Sequence, residues 1–126
     1  MSKFILLLLA VYFAGLAAWL IIHPLTFYQT IPGVPDTGPF NDHFSRDVGF
    51  AFLVSAAGLW LGAIRGDKTL AVLGAAFPVL HGVFHVVGIG QTEVSDIAGI
   101  LGELLPTAGI AAVALIFALR LKGVPS

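Results

Sequence analysis

Four long apolar stretches, almost free of polar side chains, constrain what this chain can fold into. They run over residues 4–22, 48–64, 70–90 and 97–119. The first two hold no charged residue or histidine, the third holds only His81 and His85, and the fourth only Glu103. A helix of about 20 apolar residues crosses the hydrocarbon core of a bilayer. The sequence therefore predicts four transmembrane helices.

The composition agrees with lipid as the main solvent of a single domain. The chain has 126 residues, of which 58% are hydrophobic and 10% charged, whereas a soluble domain carries about 25% charge. We predict an all-α integral membrane four-helix bundle, one transmembrane domain over 1–126, with spans of about 4–23, 47–65, 69–90 and 96–120. Residues 24–46, rich in Pro and Gly, are expected to form a non-helical outer loop. The alternative for the first stretch is a cleaved signal peptide.

Charge and cysteine content exclude several classes of function. The net charge of −1 argues against nucleic acid as a partner. The chain has no cysteine, which excludes disulfides, thiolate metal sites and iron–sulfur clusters.

The basic residues predict an orientation. With four spans, Arg46 falls on one side of the membrane and all other basic residues on the opposite side: Lys3, Arg65, Lys68, Arg120 and Lys122. The positive-inside rule then places both termini in the cytoplasm. In a bacterium this is the inner membrane, and the outer loop faces the periplasm.

In this orientation the histidines and the membrane-depth carboxylates share the outer third of the protein. His81 and His85 are spaced i, i+4 on one face of the third helix. His43 and Asp47 share a face of the second helix if that helix begins near Asn41. Because lipid cannot solvate polar rows, we expect them, together with Glu103, to point inward and converge.

This set of side chains predicts a transition-metal site. Imidazole and carboxylate ligands suit zinc, iron or copper. His43, His81 and His85 would supply nitrogen, and Asp47 or Glu103 would supply oxygen or act as an acid/base in a redox or hydrolytic centre for a membrane-soluble substrate. The His81–His85 segment lacks the glutamate that follows the first histidine in a zinc-protease helix.

Two further residues bear on this predicted site. Arg46 either pairs with Asp47 or binds an anionic lipid or substrate. Pro106 lacks a backbone donor and should loosen the helix near Gly102, close to Glu103.

Other functions fit the same residues. A b-type haem would need axial histidines, such as His81 or His85 with His43 or His23. The polar cluster would be purely structural in an accessory subunit of a larger membrane complex, with the Gly58, Gly62 and Gly66 row facing a partner or a second copy. A small oligomeric transporter is the last alternative, although the inner halves of the helices offer no polar pathway.

Two short segments carry a family resemblance. They are Asn41-Asp42-His43-Phe44-Ser45-Arg46-Asp47-Val48-Gly49 and Pro78-Val79-Leu80-His81-Gly82-Val83-Phe84-His85, with Phe27-Tyr28 ahead of the loop. In layout and motifs the chain resembles small bacterial four-span membrane proteins, loosely DoxX-like. The resemblance implies the four-helix fold and implies no activity.

Overall fold

The computed structural model describes residues 1–89 and 97–122, and this part of the chain is helical almost throughout. The helices are α1 (Ser2–Ile22), α2 (Pro24–Thr30), α3 (Asp42–Arg65), α4 (Lys68–Ile89), α5 (Ile97–Leu104) and α6 (Ile110–Leu119). A 3₁₀ turn spans Val34–Thr37, and a π-helical turn, Leu105–Gly109, joins α5 to α6.

Four helical segments are long and apolar enough to cross a bilayer, as the sequence predicts. They are α1, α3, α4 and the continuous segment Ile97–Leu119 formed by α5, the π-helical turn and α6. The predicted end of the third span at Gly90 and the predicted start of the fourth at Asp96 lie outside the described residues.

The four segments pack in a ring. α1 packs most extensively on α3, α3 on α4, and α4 on α6, while α6 returns to α1. α1 and α4 finish, and α3 and α5 begin, at one end of the bundle, here called the distal end. The largest buried side chains of the core are Leu6, Phe13, Leu20, Phe52, Leu59 and Leu121.

Glycines allow α3 and α4 to touch backbone to backbone. A Cβ atom on Gly58 would lie 2.6 Å from the Cα of Gly74, and one on Gly74 would lie 2.4 Å from the backbone nitrogen of Leu59. A Cβ on Gly62 would lie 2.5 Å from the nitrogen of Ala71. Small residues permit such close crossing of helices. The glycine row predicted to face a partner is therefore covered within the chain.

Residues 24–46 contain two short helical segments, so the prediction of a non-helical loop is wrong. Pro24 occupies the first turn of α2, where its missing N–H costs nothing. The ring of Phe27 packs edge-on against Trp19, with centroids 5.4 Å apart. The Tyr28 hydroxyl donates to the carbonyl of Gly38 over 2.8 Å. This segment forms a folded cap over the distal end of α1.

α3 begins at Asp42, next to Asn41, where a helix start puts His43 and Asp47 on one face; the predicted membrane span began five residues later, at 47. Asn41 caps it, because its Oδ1 accepts from the backbone N–H of Phe44 over 3.0 Å, the preferred role of asparagine at this position. A Cβ on Gly49 would lie 2.8 Å from the side chain of Ile21. The first turns of α3 therefore pack closely on the end of α1.

Candidate functional site

Three of the five predicted ligands come together between α4 and α5. The Nδ1 atom of His85 lies 2.9 Å from Oε1 of Glu103, and its Nε2 lies 3.2 Å from Nε2 of His81. His81 is half-buried, and the side chains of His85 and Glu103 are 24% and 40% exposed. We call this chain of hydrogen bonds the His–Glu triad.

Donors and acceptors fix the protonation of the triad when Glu103 is ionised. A carboxylate only accepts, so Nδ1–H of His85 donates to it. Nε2 of a neutral His85 is then an acceptor, and Nε2–H of His81 donates to it. The Nε2 lone pair of His85 thus faces the ring of His81, with its tautomer set by Glu103.

A close contact between helices holds the triad in place. Gly82 follows His81, and a Cβ added to it would lie 2.8 Å from the Cα of Ala108 in the π-helical turn. The backbone of the fourth segment therefore lies directly against α4. This approach brings Glu103 within hydrogen-bond distance of His85.

The π-helical turn begins two residues after Glu103. Pro106 has no N–H to offer the carbonyl of Gly102, and the regular helix is interrupted there, as the sequence predicts. The Thr107 hydroxyl donates to the carbonyl of Glu103 over 2.7 Å. Single π-turns within helices are frequent at functional sites.

Three phenylalanines, here called the aromatic floor, lie on the side of His81 that faces away from the distal end. The rings of Phe13 and Phe52 stack with centroids 5.6 Å apart, and Phe52 meets Phe77 edge-on at 4.9 Å. The His81 ring stacks on Phe77 at 5.8 Å and contacts Phe52 at 5.9 Å. Sequence reasoning missed this floor, although Phe77 lies one helical turn before His81.

His43 and Asp47 lie elsewhere, so the expected convergence of all polar rows is wrong. They form an i, i+4 pair, Nε2 to Oδ2 3.4 Å, with side chains 91% and 56% exposed. Their face of α3 continues into Phe50 and Val54, both exposed, whereas Phe52 is buried. His43 is nine residues before Phe52, about 13 Å along the helix. We call His43 and Asp47 the outer pair.

Arg46 pairs with Asp42, not with Asp47. Its Nε and Nη2 atoms donate to the two carboxylate oxygens of Asp42 over 2.8 and 3.0 Å. Its Nη1 donates to the carbonyl of Ile21, one of the last carbonyls of α1, which have no partner within the helix. Arg46 thus ties the start of α3 to the end of α1, and its predicted contact with an anionic ligand stays a prediction.

His23 is exposed at the junction of α1 and α2, where it ends α1. Within residues 1–89 and 97–122, no group of three or more His, Cys, Asp or Glu side chains has the arrangement of a metal site. The predicted five-ligand cluster is therefore not assembled there. Two imidazoles and one carboxylate, which contacts His85, are assembled.

Comparisons with protein-family models, with curated proteins and with solved structures give no match for this chain. The DoxX-like resemblance stays a prediction.

Proposed function

We propose that this protein is an integral membrane protein that binds a transition-metal ion through Nε2 of His81 and Nε2 of His85. Glu103 is the carboxylate that orients His85. The bundle crosses the membrane four times with both termini in the cytoplasm, and the distal end faces outward. Five of the six basic residues at the opposite end support this orientation.

The separation of the two Nε2 atoms carries the proposal. Two nitrogen ligands at about 2.0–2.1 Å from a tetrahedral metal lie about 3.3 Å apart. In the structure the two atoms are 3.2 Å apart. A metal would replace the single shared proton of His81, and the two rings would need little movement.

The contact between Glu103 and His85 supports the same conclusion. Histidines that bind metals commonly donate their second ring N–H to a carboxylate, which fixes the tautomer and makes the ligand more basic. The Nδ1–Oε1 distance of 2.9 Å has this geometry. Glu103 therefore acts through His85, while Asp47, on the opposite face of α3, has no part in the proposed site.

Two protein ligands leave positions open for water or substrate. Catalytic metal sites keep such a position, whereas structural sites are closed. Imidazole ligands suit zinc, copper and iron. A redox or hydrolytic centre that acts on a membrane-soluble substrate is the chemistry this arrangement favours.

The geometry favours a metal ion over haem. The two axial histidines of a b-type haem bind from opposite faces of the macrocycle. The expected partners of His81 or His85 are His43, whose side chain is 91% exposed on another face of α3, and His23, which is exposed at the end of α1. His81 and His85 themselves lie side by side on one helix, with ring centroids 4.7 Å apart.

The aromatic floor also argues against a transporter. Phe13, Phe52 and Phe77 separate the triad from the cytoplasmic half of the bundle. A proton or ion that reaches His81 from outside meets apolar rings beyond it, which offer no ligand or hydrogen-bond partner.

Metal analysis of detergent-purified protein never exposed to chelator tests the proposal, followed by titration of the metal-free protein with Zn²⁺ and Co²⁺. We expect about one ion per chain. The variant His81→Ala with His85→Ala should lose it. The matched control, His43→Ala with Asp47→Ala, removes the other i, i+4 pair and should bind like the wild type.

Full occupancy in the His81→Ala, His85→Ala protein would overturn the assignment. So would a wild-type protein that binds neither ion. The triad would then be a structural cluster, and co-purifying membrane subunits would be the next object of study.

A further inference from the structure

The π-helical turn separates two parts of the fourth segment that face the same neighbour. We infer that this turn, with Pro106 and Thr107 as its positioning residues, is the element that directs Glu103 toward His85. Without it, Glu103 would face a different side of the bundle.

Ala108 of the π-helical turn and three residues of α6 show where α4 lies. Ala108, Ala111, Ala112 and Leu115 line one groove together with Val79, Gly82, Val83 and Val86 of α4. Successive residues of an α-helix are rotated by about 100°. Viewed down the axis of α6, Ala111 and Leu115 are therefore about 40° apart. These two positions mark the side of α6 that faces α4.

The rotation of Glu103 depends on the extra residue in the turn. If the helix were unbroken, Glu103 would lie about 80° around the helix axis from Ala111. It would be rotated away from Leu115, and so away from α4. A π-turn closes i to i+5, so it accommodates one residue more than an α-turn. With that residue absorbed, Glu103 lies about 20° from Ala111, between Ala111 and Leu115. This is the direction of α4 and of His85.

Local chemistry keeps the turn in this form. Pro106 cannot donate the hydrogen bond that a regular helix would make to Gly102. The hydroxyl of Thr107 instead donates to the carbonyl of Glu103, 2.7 Å away. Ala108 lies against Gly82, so the turn is seated on α4 one residue beyond His81.

The effect on metal affinity rests on the proposed function, but the contact between Glu103 and His85 does not. The contact is therefore measured in the metal-free protein. The ¹⁵N NMR signals of the histidine rings report the tautomer of His85 and the hydrogen bond of its Nδ1–H. Glu103→Leu, which removes the acceptor, gives the reference for a broken contact.

Two variants, one of them a residue shorter than the other, test whether the extra residue in the turn sets the direction of Glu103. In the first, Pro106→Ala is combined with Thr107→Ala, which restores the helical donor and removes the hydroxyl. In the second, Pro106→Ala is combined with deletion of residue 107, which removes the extra residue. We expect the His85 signal of the first to match Glu103→Leu, and that of the second to match the wild type.

Two outcomes would overturn the inference. One is a wild-type His85 signal in the first variant. The other is a broken contact in the second variant when circular dichroism shows its helices intact. If the NMR results agree while no protein binds metal, the proposed function fails and the positioning role stands.

A milder substitution covers the case in which either variant fails to fold. Thr107→Val keeps the β-branched shape and removes only the hydroxyl. We expect its His85 signal to shift part of the way toward that of Glu103→Leu. An unchanged signal would contradict the role of Thr107.

Discussion

The outer pair and the His–Glu triad are built from the same pattern, yet only one of them lies within the bundle. His43 and Asp47, like His81 and His85, are four residues apart on one helix. The outer pair is exposed, and its two side chains pair with each other within α3. The triad is half-buried, includes Glu103 from another segment, and rests on the aromatic floor.

The difference shows that spacing along a helix is not enough to make a polar pair part of a site. The pair must also lie on the face of the helix that is turned toward the interior of the bundle. On α3, the buried row contains Phe52 and Leu59, and the outer pair lies on the opposite face with Val54. On α4, His81 follows Phe77 by one turn and shares its inward direction. An i, i+4 pattern is thus informative only once the buried face is known.

The largest effect is expected at the aromatic floor. Phe52→Ala removes a buried ring that touches Phe13, Phe77 and His81, and such truncations cost about 3–5 kcal/mol. Phe50→Ala, two residues away, removes a ring that is 51% exposed and should change stability little. Unfolding in mixed detergent with increasing dodecyl sulfate measures both. Equal losses of stability in the two variants would show that Phe50 and Phe52 are not on separate exposed and buried faces of α3.

Gly82→Ala should separate the triad without touching its side chains. Its Cβ would clash with the backbone of Ala108 at 2.8 Å, and overpacking of this kind costs about 1–3 kcal/mol. The control is Gly88→Ala on the same helix, where a Cβ would meet no atom of residues 1–89 or 97–122 within 4 Å. We expect lower stability and weaker metal binding for the first variant only. Equal behaviour of the two would argue against a close contact at Gly82.

Glu103→Gln compares the triad with the outer pair by removing one negative charge from the triad. Loss of a carboxylate that orients a ligand weakens metal affinity by about 10–100-fold. Asp47→Asn makes the same chemical change in the outer pair and should leave affinity unchanged. Competition titration with a chromogenic chelator measures both. An effect at Asp47 equal to that at Glu103 would contradict the separation of the two groups.

The smallest effect is expected at Arg46. Arg46→Gln removes the exposed bonds to Asp42 within α3 and the part-buried bond to the carbonyl of Ile21, which joins α3 to α1. The thermal midpoint should fall slightly, because exposed ion pairs contribute little, and metal affinity should not change. A large loss of metal binding would instead assign Arg46 to the site.

The spans could be predicted because length and apolarity alone determine them. The folded cap cannot be predicted from the Pro and Gly content of residues 24–46, because proline is also favoured in the first turn of a new helix. The early start of α3 was readable from Asn41, a preferred capping residue.

Half of the site could be predicted from the sequence. The spacing of His81 and His85, and the position of Glu103 in an apolar segment, identified the three residues that meet. The bond of Arg46 to the carbonyl of Ile21, and the contacts of Phe13 and Phe52 under His81, depend on which helices are neighbours, and no local pattern encodes that. The rotation of Glu103 depends on a π-turn, for which Pro106 gave the only local sign.

The one-sided position of the triad has an electrical consequence in an energised membrane. His85 and His81 lie about 6 and 12 Å along α4 from Ile89, roughly a third of the way into a hydrocarbon core of about 30 Å. A divalent ion that enters from outside would cross up to about a third of the membrane field, worth about 1.5 kcal/mol per 100 mV. In the proposed orientation, with the cytoplasm negative, that field would pull the proposed metal ion inward, so respiring cells would bind it up to about tenfold more tightly than depolarised ones.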